Sequence, residues 1–94
     1  MKVENMTSNK GNKIANQFII TDEENNRQVF QSYETVIAMK QFCEIEQKEV
    51  ITLDREKWDY SVTTGKYRNL FLGETKKETQ AKINSGEYFL DNLN

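Results

Sequence analysis

A chain of 94 residues has room for one modest hydrophobic core, and with 36% hydrophobic against 30% charged residues it lies at the polar end of the globular range. Histidine and proline are absent and Cys43 is the single cysteine, which excludes a Ser-His or Cys-His nucleophile pair, a zinc site of the usual Cys/His kinds and an internal disulfide. The formal net charge of −2 divides unevenly: residues 14–54 carry three cations against eight acids, whereas residues 55–86 carry seven cations against four acids. The opening M-K-V-E-N-M-T-S-N-K lacks the apolar segment of a signal peptide, and no run approaches the ~18 apolar residues of a membrane span. These features predict a cytoplasmic chain with no membrane partner.

Residues 1–13 show no apolar period and are expected to be a flexible N-terminal tail, leaving 14–94 as a single domain. Ile14 to Thr21 is rich in strand formers and reads as a first strand. Asp22 to Asn26 (D-E-E-N-N) is turn chemistry, because Asp and Asn tolerate positive φ and bond their own backbone. Its carboxylate density resembles a calcium loop, but Arg27 and Tyr33 stand where the sixth-position Gly and twelfth-position Glu are required, so no metal is expected. Arg27 to Gln31 returns as a second strand. Ser32 reads as an N-cap for a helix over Y-E-T-V-I-A-M-K-Q-F-C, with Tyr33, Val36 and Ile37 on one face and Cys43 extending it as a buried, inert thiol. Glu44 to Lys48 is a polar connection. Glu49 to Leu53 is a short, β-branched third strand.

Asp54 to Gly73 (D-R-E-K-W-D-Y-S-V-T-T-G-K-Y-R-N-L-F-L-G) has the densest chemical content. Ser61 is placed to N-cap a helix over residues 62–72, and Gly73 to close it. Thr75-Lys76-Lys77-Glu78 fits a capping box that opens a second helix over about 76–85, with Ala81 and Ile83 to bury, a Glu78–Lys82 pair outside, and Gly86 ending it. Glu87 to Leu90 reads as a final strand in preference to a docked apolar tail. The expected fold class is α+β: a three- or four-stranded antiparallel sheet with two to three short helices packed on one face.

Three constellations carry candidate function. Ser61, Thr63, Thr64 and Lys66 at a helix start suit an anion, but the glycines of a phosphate-binding loop are missing, and an ordinary capped helix explains the same residues. The 61–72 helix is a candidate to read nucleic acid through Lys66 and Arg68, although these lie about 200° apart at ~100° per residue and the upstream segment is strand-like rather than the first helix of a helix-turn-helix. Trp58, Tyr60, Lys66 and Arg68 form an interface-like group, since Trp, Tyr and Arg dominate binding energy; core packing is the competing reading for Trp58 and Tyr60, and the favoured one for Tyr67, Leu70 and Phe71. The partner surface is placed on Trp58, Tyr60, Lys66 and Arg68, with an acidic face around Glu23, Glu24, Glu44 and Glu46 as the alternative. No catalytic residue, cofactor or metal is expected.

The segments I-A-N-Q-F-I-I, V-F-Q-S-Y-E-T-V-I-A, W-D-Y-S-V-T-T-G-K-Y-R-N-L-F-L-G-E-T and S-G-E-Y-F-L-D-N-L resemble a group of short, uncharacterised bacteriophage and prophage proteins. The resemblance spans residues 14–94. It implies a phage accessory protein in the host cytoplasm, of the anti-CRISPR or anti-defence kind: a non-enzymatic inhibitor that occupies a surface of a host protein or ribonucleoprotein complex. A nucleic-acid-binding phage protein and a minor virion or structural component are the alternatives, and oligomeric state stays open.

Overall fold

The computed structural model describes residues 1–94 as a single six-stranded sheet carrying two helices. In chain order the elements are β1 (Lys2–Thr7), β2 (Lys13–Asp22), β3 (Arg27–Ser32), β4 (Thr35–Cys43), β5 (Lys48–Asp54), α1 (Val62–Leu72), α2 (Lys76–Asn84) and β6 (Phe89–Asp91). The strands lie in sequence order across the sheet; neighbours are antiparallel from β1 to β5, and the α1–α2 crossover returns β6 parallel to β5. The α+β class stands. The expected three- or four-stranded antiparallel sheet does not, because both the supposed tail and the supposed first helix are strands.

Cross-strand register assigns the faces. Ile19, Phe30, Ala38, Leu53 and Leu90 form one row across β2–β6, and Phe30, Ala38 and Leu53 are fully buried beneath Phe71 of α1 and Tyr88. The Phe30 and Phe71 rings meet with centroids 5.8 Å apart. Burying Phe30 and Leu53 contributes about 1.5–3 kcal/mol each, and the Ala38 methyl less. On the other face the row is Val3, Ile20, Val29, Met39, Thr52 and Phe89.

The segment after Ser32 misled the helix reading for two local reasons. Ser32 and Thr35 face each other, so the β3–β4 hairpin turns in two residues, Tyr33 and Glu34, with Tyr33 at φ 55. Neither is the Asn or Gly that usually signals such a turn. Then Phe30 faces Ala38 while Gln31 faces Val36, which makes Ile37 the extra residue of a bulge. A bulge breaks period-two alternation, and with it broken the run V-I-A-M imitates a helix face. The β-branched Thr35, Val36 and Ile37 are strand formers, and pairing on both sides overrides the apparent cap. Cys43 accordingly ends a strand, half-buried, opposite Lys48.

Residues 1–13, expected as a flexible tail, supply β1 and its turn. Val3 and Met6 are too sparse to reveal a strand alone; β1 is an edge strand whose ladder with β2 fixes it. The chain's end is also tied down. The buried carboxylate of Asp54 accepts from the backbone N–H of Leu93 at 2.8 Å and of Lys57 at 2.9 Å, and the Asn94 amide bonds both the N–H and the C=O of Val36.

Candidate functional site

Helix α1 starts where sequence places it. Ser61 is extended (φ −151, ψ 157) and its hydroxyl accepts from Thr64 N–H at 3.1 Å; Gly73 closes the helix at φ 71. The buried side, however, is Thr64, Gly65, Arg68 and Phe71. Only one of these is a large hydrophobe. Thr64 Oγ1 instead meets Ser32 Oγ at 3.0 Å, a buried hydroxyl pair that locks the start of α1 to the end of β3.

Arg68 is the centre of the arrangement, at 1% exposure. Its Nη1 donates to Trp58 O at 2.6 Å and to Asp59 Oδ1 at 3.3 Å, and its Nη2 to Asn69 Oδ1 at 3.0 Å. The Trp58 ring lies 5.1 Å from its Cζ. Gly65 packs beside the guanidinium, where an added Cβ would sit 3.5 Å from Nη2. Asp59 also receives Lys76 Nζ at 2.6 Å, joining the 55–60 turn, α1 and α2 through one carboxylate. Burial pushes the Asp59 carboxyl up, but the Lys76 and Arg68 bonds outweigh it and hold it below the usual range.

A second carboxylate orders α2. Thr75 and Glu78 form the expected capping box, with Glu78 N–H to Thr75 Oγ1 at 3.2 Å and Thr75 N–H to Glu78 Oε1 at 3.0 Å. Lys82 pairs with Glu74 at 2.9 Å rather than with Glu78, and Glu74 also accepts from Thr79 Oγ1 and Tyr88 Oη, each at 2.6 Å. Thr79 is the fully buried residue of α2, while the predicted Ala81 is exposed. Burial and the Glu74 bond raise the Tyr88 phenol to about 12.

The Arg68–Asp59–Lys76 knot frames an open groove of about 740 Å³ along α1, floored in part by Gly65 and Arg68 and rimmed by Tyr60, Val62, Lys66, Asn69, Leu70 and Lys76. Of the four residues assigned to a partner surface, Tyr60 and Lys66 are exposed on this groove and Arg68 lies in its wall. Trp58 is half-buried against the core and outside the groove. Leu70, expected in the core with Tyr67 and Phe71, is 59% exposed. Asn9, from the β1–β2 turn, completes the lining; nothing short of the β1–β2 hairpin would have signalled it.

The comparisons with known proteins place the chain by its length. Residues 1–87 match DUF8033, a family of unknown function. The chain belongs to this family. No curated protein and no solved structure matches it.

The alternative acidic residues of this DUF8033 member also cluster. Glu23 and Glu24 occupy the β2–β3 turn, Glu44 and Glu46 the β4–β5 turn, and all four are exposed. Asn26 Nδ2 bridges to Glu44 Oε1 at 3.0 Å and Gln41 Nε2 to Asn25 O at 2.6 Å, so the turns are neighbours. Because β3 runs from Arg27 beside these turns to Ser32 beside α1, the acids and the groove occupy opposite ends of the sheet. No set of three or more His, Cys, Asp or Glu side chains is arranged to hold a metal ion, and no helix is long and apolar enough to cross a membrane.

Proposed function

We propose that this DUF8033 member is a non-enzymatic binding protein that docks on a larger host assembly through the groove along α1, and by occupying that surface inhibits the assembly. The observation that carries the reading is the combination of a preordered frame with exposed, adhesive side chains. Arg68, Asp59 and Lys76 hold the groove's geometry, so a partner meets Tyr60 (46% exposed), Val62 (92%), Leu70 (59%) and the Lys66 ammonium on a surface already ordered. Preordering lowers the entropy cost of association. The phage-protein resemblance supplies the setting, a bacterial defence complex.

Nucleic-acid binding by α1 has less support. One of its two cations, Arg68, is spent on Trp58, Asp59 and Asn69, which leaves Lys66 and Lys76 at the groove, the latter already paired with Asp59.

Affinity capture from lysate of the bacterium that carries the gene, with and without nuclease, tests the reading. Capture of one discrete complex that resists nuclease and is lost with Tyr60→Ala/Lys66→Glu supports it. Tight, steeply salt-dependent binding to free DNA or RNA replaces it with the nucleic-acid reading. A captured complex insensitive to those substitutions but lost on neutralising Glu23, Glu24, Glu44 and Glu46 moves the surface to the opposite end.

A further inference from the structure

Strand β1 is an edge. Lys2–Thr7 pairs with β2 on one side only, and its other side presents unpaired backbone groups to solvent. Such an edge accepts another strand unless something blocks it, and isolated charges are a common block. Here the charges have a particular order. Lys2 and Glu4 flank Val3 on the helix-bearing face, their side chains 67% and 57% exposed and 3.5 Å apart. Val3, 61% exposed, points to the other face, at the end of the row Ile20, Val29 and Met39.

From this we propose that β1 is a homodimer interface: two copies join edge to edge, antiparallel, about a two-fold axis through Val3. In that register Val3 meets Val3 of the second copy, and Lys2 of each meets Glu4 of the other. Opposite charges directly across an antiparallel pair attract and like charges repel. Shifting the axis to Glu4 sets Glu4 against Glu4 and leaves Lys2 without an acid; shifting it to Asn5 leaves both charges without a partner. The K-V-E order is thus self-complementary only about Val3. A two-fold interface uses the same patch on both copies, as this one does. Joining the sheets makes the apolar row continuous from Met39 through Val3 into the second copy and brings the two Val3 side chains side by side. The groove is not consumed, since Lys2 faces Thr21 at one end of β1 whereas Asn9, which lines the groove, follows the other end.

Sedimentation velocity on the intact chain, from low to high micromolar concentration, tests this. The mass is expected to rise from 11.1 kDa towards twice that value. Lys2→Glu alone and Glu4→Lys alone each place like charges opposite twice and weaken dimerisation roughly tenfold or more, with the melting temperature unchanged when compared at concentrations low enough for every chain to be monomeric. The double variant K2E/E4K restores it. An equimolar mixture of the two single variants also restores it, as a heterodimer, because every cross-strand pair is again opposite in charge. A chain that stays monomeric throughout overturns the proposal. So does a dimer indifferent to the single reversals, or single variants that fail to complement each other when mixed.

Discussion

The two ends of the sheet were both conspicuous for charge, and they use it in opposite ways. At the α1 end, Arg68 is drawn fully inside, bonded to Trp58 O, Asp59 and Asn69, and its charge ties the 55–60 turn to α1, with Asp59 passing the link on to Lys76 of α2. At the turn end the ordering is done by Asp22, which binds Asn25 at 2.7 Å and Arg27 at 3.2 Å, while Glu23, Glu24, Glu44 and Glu46 project into solvent. In both places the charge that builds the structure and the charge a partner can reach belong to different residues. Burial separates them. A buried ion left without its partner is expensive, whereas an exposed one is nearly free to change.

Substitution should expose that contrast in graded steps. Arg68→Ala leaves the Trp58 carbonyl and the Asn69 amide oxygen as unmet acceptors, at about 1–3 kcal/mol each, while Asp59 keeps Lys76, and the summed loss in denaturant unfolding is expected to be the largest of these single substitutions. A loss under ~1 kcal/mol would show that Arg68 is not the frame. Trp58→Ala, half-buried and stacked on the guanidinium, should cost about 2–3 kcal/mol, below the range for a fully buried Trp. Partner affinity, once a partner is captured, should fall only as far as the groove deforms.

The α2 knot gives a pH signature at its own scale. Tyr88 titrates at about 12 against an ordinary 10.0, so the stability it contributes is complete below pH 10 and is lost as pH rises towards 12; Lys82, raised mainly by its bond to Glu74, adds to the same alkaline loss. Melting temperature should drop across that window, and Tyr88→Phe should flatten the drop. Glu74 and Asp59 work in the other direction. Burial raises both carboxyls, but their bonds hold both below the ordinary value, so their stabilisation is present above the usual carboxylate range and fades as pH falls through it.

Thr75→Ala removes the capping box and should cost about 1 kcal/mol. Smallest of all, each of Glu23→Gln, Glu24→Gln, Glu44→Gln and Glu46→Gln should change stability by less than about 0.5 kcal/mol. A larger effect at Glu44, which accepts from Asn26, would show that the turn end also depends on its exposed charge.

Local chemistry determined a good part of this protein from sequence alone. The Ser61 cap, the Gly73 close and the Thr75–Glu78 box are decided within four or five residues, so the helix starts were legible; so were β2 and β5, whose β-branched runs end in Asp-led turns, and β3, which returns from the Asp22–Asn26 turn. Tyr60 and Lys66 line the groove through equally local causes, since both follow from their places beside the Ser61 cap. What only the tertiary structure decided lies wherever a residue's role is set by a distant partner. β1 is a strand because β2 pairs with it, and Asn9 joins the groove because that hairpin carries it there. The Tyr33–Glu34 turn and the Ile37 bulge hide β4 from any periodic reading, and ladders to β3 and β5 supply the energy that cap chemistry at Ser32 does not. Arg68 lies on the inner face of α1, and the acceptors that make this tolerable sit on Trp58 and Asp59, ten and nine residues upstream, in a turn with no pattern of its own. A short-range signal is written in adjacent residues. A long-range one exists only once the sheet has brought its two halves together.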